Sequence, residues 1–148
     1  MIFQTFYPNG QIHFEYNIEN EKKEGTYRSY YETGQLKVVC EFKNGVKNGE
    51  YISYYSNGLT EIKSMYVDGK ESGVETWFYP SGRIWLKCNY KEGKRDGDYK
   101  EWLDYATFLY KDENYKDGYK HGVCKEYRHD GVLIINKIYE LGKVVEKE

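Results

Sequence analysis

Apolar and polar residues alternate along most of this chain, in short runs separated by turns that contain glycine. Side chains two positions apart in a strand share one face of a sheet, so the alternation predicts strands with one apolar and one polar face. Only a few turn residues separate successive runs, which is typical of antiparallel neighbours. The pattern therefore predicts an all-β chain, a continuous antiparallel meander of about twelve strands.

Glycine recurs with a period of 24 residues and divides the chain into repeats. The three series are Gly10, Gly34, Gly58, Gly82, Thr107 and Gly131; Gly45, Gly69, Gly93, Gly118 and Gly142; and Gly25, Gly49, Gly73, Gly97 and Gly122. A fixed period of this length indicates tandem supersecondary units, here six β-hairpins. We expect one domain over residues 1–148, with repeats near 1–24, 25–48, 49–72, 73–96, 97–121 and 122–148.

Each repeat contains two turns. The first, as in Asn9-Gly10, has the composition of a two-residue hairpin turn with positive φ at its centre. The second, as in residues 44–49, has glycine at either end and is expected to be a longer connection. A two-residue first turn pairs Tyr7 with Ile12, and the same counting applies in later repeats.

This register assigns the apolar columns to two faces. The predicted core columns are Tyr7/Tyr31/Tyr55/Tyr79/Leu103, Ile12/Leu36/Thr60/Ile84/Leu109/Leu133, Phe14/Val38/Ile62/Leu86/Ile135 and Ile18/Phe42/Tyr66/Tyr90/Tyr115/Tyr139. The opposite face carries the aromatic column Phe6/Tyr30/Tyr54/Phe78/Trp102/Tyr127. Its predicted neighbours are polar or charged in the first three repeats and become Trp85, Tyr110 and Ile134 in the last three.

Exposed tryptophan and tyrosine are typical of interface hot spots, so the fourth to sixth repeats are the predicted binding region. The candidate partner-binding residues are Phe78, Trp85, Trp102, Phe108, Tyr110 and Tyr127. The aromatic residues could also be purely structural, because stacked cross-strand rings stabilise any sheet. This explanation accounts for most of the aromatic residues but not for Trp85 and Trp102 on the predicted solvent side.

Charge and composition argue against several function classes. The formal net charge is −2 with both signs interspersed, so nucleic acid is not an expected partner. Residues 1–5 lack the basic start and apolar run of a signal peptide, and no stretch has membrane-spanning length, which predicts a cytoplasmic protein. Histidines and cysteines show no metal-ligand or nucleophile spacing, so no metal, cofactor or catalytic residue is assigned. Cys40, Cys88 and Cys124 are expected to be reduced, Cys40 and Cys88 as core residues too far apart for a disulfide.

The unit Gly-Xaa-Tyr-Xaa-Xaa-Tyr-Tyr-Xaa-Xaa-Gly-Gln-Leu-Lys, residues 25–37, resembles the MORN repeat, in the variant form common in bacteria and large DNA viruses. The resemblance covers nearly the whole chain. It implies an elongated, twisted single-layer sheet of hairpins that is not an enzyme and serves as a protein-binding or lipid-associated scaffold. Some bacterial proteins of this type are classed as antitoxins that neutralise a cognate toxin.

The chain departs from this repeat in three places. Thr107 replaces a turn glycine beside an insertion in residues 104–106, so the fifth unit should be irregular. Asn20-Glu21 lacks the expected glycine, and Cys124 and Arg128 replace aromatic residues of the sixth repeat. The irregular fifth unit adjoins the extra apolar surface, which favours the same end of the array for binding.

Three functions are consistent with these features. The leading hypothesis is a protein-binding scaffold, of the antitoxin or immunity type, with a homodimer through the terminal strands as a further form of association. The alternative is a membrane- or lipid-associated scaffold that uses basic residues of the longer turns, although acidic residues there nearly cancel the charge. These basic residues are Lys22, Lys23, Lys47, Lys70, Lys94, Arg95 and Lys120. The third is an enzyme, which would need polar groups that converge among the tyrosines.

Overall fold

The computed structural model describes residues 1–105 and 107–145, which form one antiparallel sheet. The strands are β1 Ile2–Phe6, β2 Ile12–Glu19, β3 Lys22–Tyr30, β4 Leu36–Lys43, β5 Val46–Tyr54, β6 Thr60–Val67, β7 Lys70–Glu71, β8 Gly73–Phe78, β9 Ile84–Lys91, β10 Lys94–Trp102, β11 Leu109–Lys116, β12 Tyr119–Lys120, β13 Gly122–Tyr127, β14 Leu133–Glu140 and β15 Lys143–Val144. Spatial order follows sequence order, with β7 on β6 and β12 on β11. The predicted all-β antiparallel meander is confirmed.

The sheet is single-layered and open over the described residues, which contain no helix. No helix in this part of the chain could therefore span a membrane. The strand count exceeds the expected twelve because Ser72 and His121 each interrupt one strand, and because β15 adds a short strand after β14.

The two turns of each repeat have the reverse of the predicted geometries. In the first turn the Tyr7 N–H donates to the Gln11 carbonyl at 2.8 Å, so residues 8–10 form a three-residue loop in which Gly10 alone has positive φ. In the second turn Asn44 and Gly45 both have positive φ, and Lys43 pairs directly with Val46. That is the two-residue type I′ hairpin.

The three-residue loop also shifts the predicted register by one residue. Phe6, not Tyr7, pairs with Ile12, and a bulge follows before Thr5 pairs with Phe14. Directly paired residues share a face of the sheet. The column of Ile12 is therefore on the same face as the column of Phe6, and the core column of Phe14 is on the opposite face. The shift recurs at Phe78–Ile84 and at the other first turns.

The buried core lies on the face of the sheet that carries Leu86, Cys88 and Tyr99. This face is called the inner face here. Its buried apolar residues are Cys40, Leu86, Cys88, Tyr99 and Cys124. The predicted columns of Phe14 and of Phe42 lie on this face, paired with Ser29 and Gly25 respectively. The three cysteines are buried free thiols, and burial raises the pKa of Cys88 to about 11. They are packing residues, as the sequence predicts for Cys40 and Cys88.

Tyrosine hydroxyls link successive repeats along the edge of the first turns. The Tyr7 hydroxyl donates to the Tyr30 carbonyl at 2.8 Å, and the Tyr79 hydroxyl to the Trp102 carbonyl at 2.9 Å. The next position is Leu103, which has no hydroxyl to donate. The fifth unit departs from the repeat here: its first turn holds one extra residue, although Trp102 still pairs with Leu109 as in the other repeats. Ala106, part of the predicted insertion, lies outside the described residues.

The turn at Asn20-Glu21 supports a prediction about stability. Glu21 occupies the type I′ position that glycine fills in the equivalent turns, and its φ is 63°. Because a side chain at positive φ is strained, Glu21→Gly is expected to stabilise the protein by about 1 kcal/mol. The reverse change in the matched turn, Gly45→Glu, should destabilise it by a similar amount. Urea denaturation measures both, and equal stability of Glu21→Gly and the unmodified chain would contradict the strain argument.

Candidate functional site

A continuous stripe of large side chains runs along the face opposite the core, beside the first turns. It consists of six cross-strand pairs of residues, one pair from each repeat, and is called the outer stripe here. The pairs are Phe6–Ile12, Tyr30–Leu36, Tyr54–Thr60, Phe78–Ile84, Trp102–Leu109 and Tyr127–Leu133.

The stripe is more apolar in its second half. In the first half, the Tyr30 hydroxyl donates a hydrogen bond to the Glu15 carboxylate at 2.8 Å, which makes this part of the stripe more polar. In the second half Ile84 is 40% exposed and Leu133 is 44% exposed. Val132, in the adjoining turn, is exposed as well. An exposed apolar area on a regular sheet is typical of an interaction surface.

Three of the six candidate binding residues lie together in the outer stripe. Phe78, Trp102 and Tyr127 occupy one column and are each half-buried. Trp102 also lines a shallow hollow on this face with Val74 and Lys87. The paired residues Ile84, Leu109 and Leu133 were assigned to the core by the predicted register and are instead part of the stripe. Pro8 and Pro80 are a sequence signal for the correct loop, because proline favours the first central position of a type I turn.

The other three candidates do not join this column. Trp85 was predicted on the solvent side, but it packs against the core of the inner face, with its ring 5.7 Å from Trp77 and 5.9 Å from Tyr79. The bulge beside Ile84 rotates it there. Tyr110 occupies the equivalent position of the next repeat and is half-buried. Phe108 lies in the turn before β11, beside Gly131.

Basic side chains of the inner face lie over its aromatic rings. The Lys23 ammonium is 4.6 Å from the ring centre of Tyr16, and the Lys47 ammonium is 4.5 Å from that of Tyr51. Arg95 and Lys120 occupy the same place in later repeats, over Tyr99 and Tyr139. These are cation–π contacts within the sheet. Four of the seven basic residues named for the lipid-associated alternative are therefore turned onto the inner face.

One carboxylate of the inner face is fully buried. Glu113 is 2% exposed, and it accepts hydrogen bonds from the Lys120 ammonium at 2.6 Å and from the Tyr115 hydroxyl at 2.9 Å. Burial and then the bond to Glu113 raise the pKa of Tyr115 to about 12. Burial lowers the pKa of Lys120, but the hydrogen bond and charge of Glu113 outweigh it, so the pKa is raised overall. The buried charge of Glu113 is therefore paired with Lys120 and hydrogen-bonded by Tyr115, so it is not left uncompensated.

The described residues that could bind a metal ion do not form a cluster. Residues 1–105 and 107–145 contain no group of three or more His, Cys, Asp or Glu side chains placed to hold a metal ion. His121 is half-buried, and its Nδ1 has no hydrogen-bond partner among the described residues.

Three segments of the chain match the family described as the MORN repeat variant, at residues 1–20, 23–44 and 71–92. They correspond to three of the hairpin units seen in the sheet. MORN repeats generally mediate interactions with proteins or membranes. No curated protein matches the chain significantly.

Proposed function

We propose that this chain, with its MORN-type repeats, is a non-enzymatic scaffold that binds a protein partner through the outer stripe of repeats four to six. The observation that carries the proposal is the exposed, mostly apolar surface around Phe78 and Trp102 on a rigid sheet. Aromatic side chains of this kind dominate interface energetics when a partner covers them. Backbone pairing on both sides of β8 and β10 holds them in place, so little conformational entropy opposes binding.

The partner-binding residues in this proposal are a revised set. Phe78, Trp102 and Tyr127 remain, and their cross-strand neighbours Ile84, Leu109 and Leu133 join them. Trp85 supports the site from the inner face and is not expected to contact the partner. Phe108 and Tyr110 flank Leu109 in sequence and are not part of the revised set.

The finer proposal is neutralisation of a toxin. It rests on the resemblance to bacterial antitoxins of this repeat type and on a surface suited to covering a partner. Co-expression with the product of an adjoining reading frame tests it. Rescue of growth by this chain supports neutralisation, whereas a harmless or absent neighbour argues for another protein partner.

A matched pair of variants tests the binding surface. The double change Phe78→Ala, Trp102→Ala should weaken partner binding by about a hundredfold or more, since hot-spot truncations cost about 2 kcal/mol each. Tyr54→Ala, at the same position of the third repeat, should leave binding within about threefold of the unmodified chain. Chemical cross-linking in a lysate of the native host, followed by mass spectrometry, identifies the retained protein, and titration measures its affinity. Equal retention by both variants would place the site elsewhere.

A lipid-associated scaffold has less support. The basic residues that stay outside the inner face, such as Lys70 and Lys94, share their surroundings with Glu92 and Asp117. This mixed charge offers weak attraction to an anionic membrane. Sedimentation with vesicles containing phosphatidylserine, at low and moderate salt, distinguishes the two functions. Strong binding that falls with salt would favour the lipid alternative over the protein partner.

A further inference from the structure

Lys87 is an uncompensated charge on the outer face. Its direct cross-strand neighbours are Thr76 in β8 and Lys100 in β10. Like charges in directly opposite positions destabilise a sheet. Lys100 has compensation of its own, because its ammonium lies 3.7 Å from Asp98 and its other cross-strand neighbour is Asp112. Lys87 forms no ion pair with any described residue.

The equivalent residues of the neighbouring repeats are placed differently. Lys63, one repeat earlier, forms an ion pair with Glu50 at 2.9 Å. The equivalent residue one repeat later is Asp112, which stands directly opposite Lys100 and Lys125. Both of these charges therefore have an opposite charge beside them, and Lys87 departs from this arrangement within the part of the array that carries the apolar surface.

Lys87 lines the hollow beside the outer stripe. The hollow is lined by Val74, Lys87, Cys88, Asn89, Asp98, Lys100 and Trp102. It thus combines an exposed aliphatic side chain, an indole ring and an amide with two ammonium groups and one carboxylate. A ligand that fits this chemistry carries one negative group for Lys87 next to an apolar group for Trp102.

We propose that this hollow selects a protein partner that presents an acidic side chain beside an apolar one, with the carboxylate on Lys87 and the apolar group on Trp102 and Val74. The inference rests on the proposed function and specifies the chemistry of the partner. A flat anionic membrane would face the carboxylates of Asp98 and Asp112 as well as Lys87, whereas a single partner carboxylate needs to contact Lys87 alone. The surroundings therefore favour a protein segment over a lipid surface.

The test uses a phage-displayed library of random 16-residue peptides selected on the full chain, with binding of the enriched peptides measured by titration. The enriched peptides should contain Asp or Glu next to Leu, Phe or Trp. Lys87→Glu should weaken them by about tenfold or more, because it places like charge against the carboxylate. Lys63→Glu, at the equivalent position one repeat earlier, should change their affinity by less than about twofold.

Thermal unfolding provides a second readout that separates binding from folding. Lys87→Glu creates an opposite-charge pair with Lys100, so Tm should rise by about 1–3 °C while peptide binding falls. Loss of binding with a lowered Tm would indicate a damaged sheet and would overturn the assignment of Lys87 as a recognition residue.

The remaining outcomes are equally decisive. Enrichment of apolar peptides without acidic residues, or the same affinity for Lys87→Glu, overturns this inference and leaves the protein-binding function standing. If no peptide is enriched and the chain binds vesicles in a way that Lys87→Glu abolishes, both this inference and the protein-binding function are overturned. If no peptide is enriched, but a host protein binds the unmodified chain and not the Phe78→Ala, Trp102→Ala variant, this inference is overturned and the protein-binding function stands.

Discussion

Gly49→Ala is expected to destabilise the protein by about 3 kcal/mol or more, which is a large fraction of the stability of a typical domain. Gly49 lies in β5 where Phe42 pairs with Lys47 and Cys40 with Tyr51, so residues 48–50 bulge opposite Glu41. Its φ is 128°, and an added Cβ would lie 2.9 Å from the Cβ of Glu41. Backbone strain and steric overlap therefore act together, and the Glu41 Cβ cannot move without its strand.

Gly73→Ala is the matched control for this prediction. Gly73 occupies the same repeat position with φ at 80°, and no heavy atom lies within 4 Å of the added Cβ. Only the cost of positive φ applies, about 1 kcal/mol. Urea denaturation of both variants gives the difference directly. Equal destabilisation would mean that contact with Glu41 contributes nothing and that φ alone requires glycine in this series.

Lys120→Met is expected to destabilise the protein by about 2–3 kcal/mol, since it leaves the buried carboxylate of Glu113 without its cation. The effect should be below that of a fully buried pair, because the Lys120 side chain is 31% exposed. The pKa of Lys120 is raised, so its contribution is fully present at neutral pH. It is lost only as pH rises above the ordinary lysine range and through the raised pKa.

A double-mutant cycle isolates this interaction. Adding Glu113→Gln to Lys120→Met removes the buried charge, so most of the lost stability should return. Lys47→Met is the matched control at the same repeat position, where the ammonium contacts only the rings of Tyr51 and Tyr66 in the part of the chain that the structure describes. Its cost should be about 1 kcal/mol or less. A double variant as unstable as Lys120→Met would show that lost packing of the lysine stem, not charge, is responsible.

The candidate site was only partly predictable. Phe78, Trp102 and Tyr127 were identified because a strand periodicity of two places one column on one face, whatever happens at the turns. Trp85 was misplaced because one extra loop residue followed by a bulge reverses the face of the next side chain. The same local shift hid Ile84 and Leu133 among the core residues. Lys87 could not have been found from the pattern, since its lack of a counter-charge depends on which residues lie opposite it.

The sequence by itself determined the repeat, the antiparallel order of the strands and the aromatic columns, because these depend on local periodicity and on glycine at fixed intervals. The tertiary structure decided which turn has two residues and which has three, since Asn-Gly suits both and proline marks the first turn in only two repeats. It also decided that Lys23, Lys47, Arg95 and Lys120 turn onto the rings of the inner face. Long cationic side chains reach either water or a ring, and the neighbouring strands supply the rings.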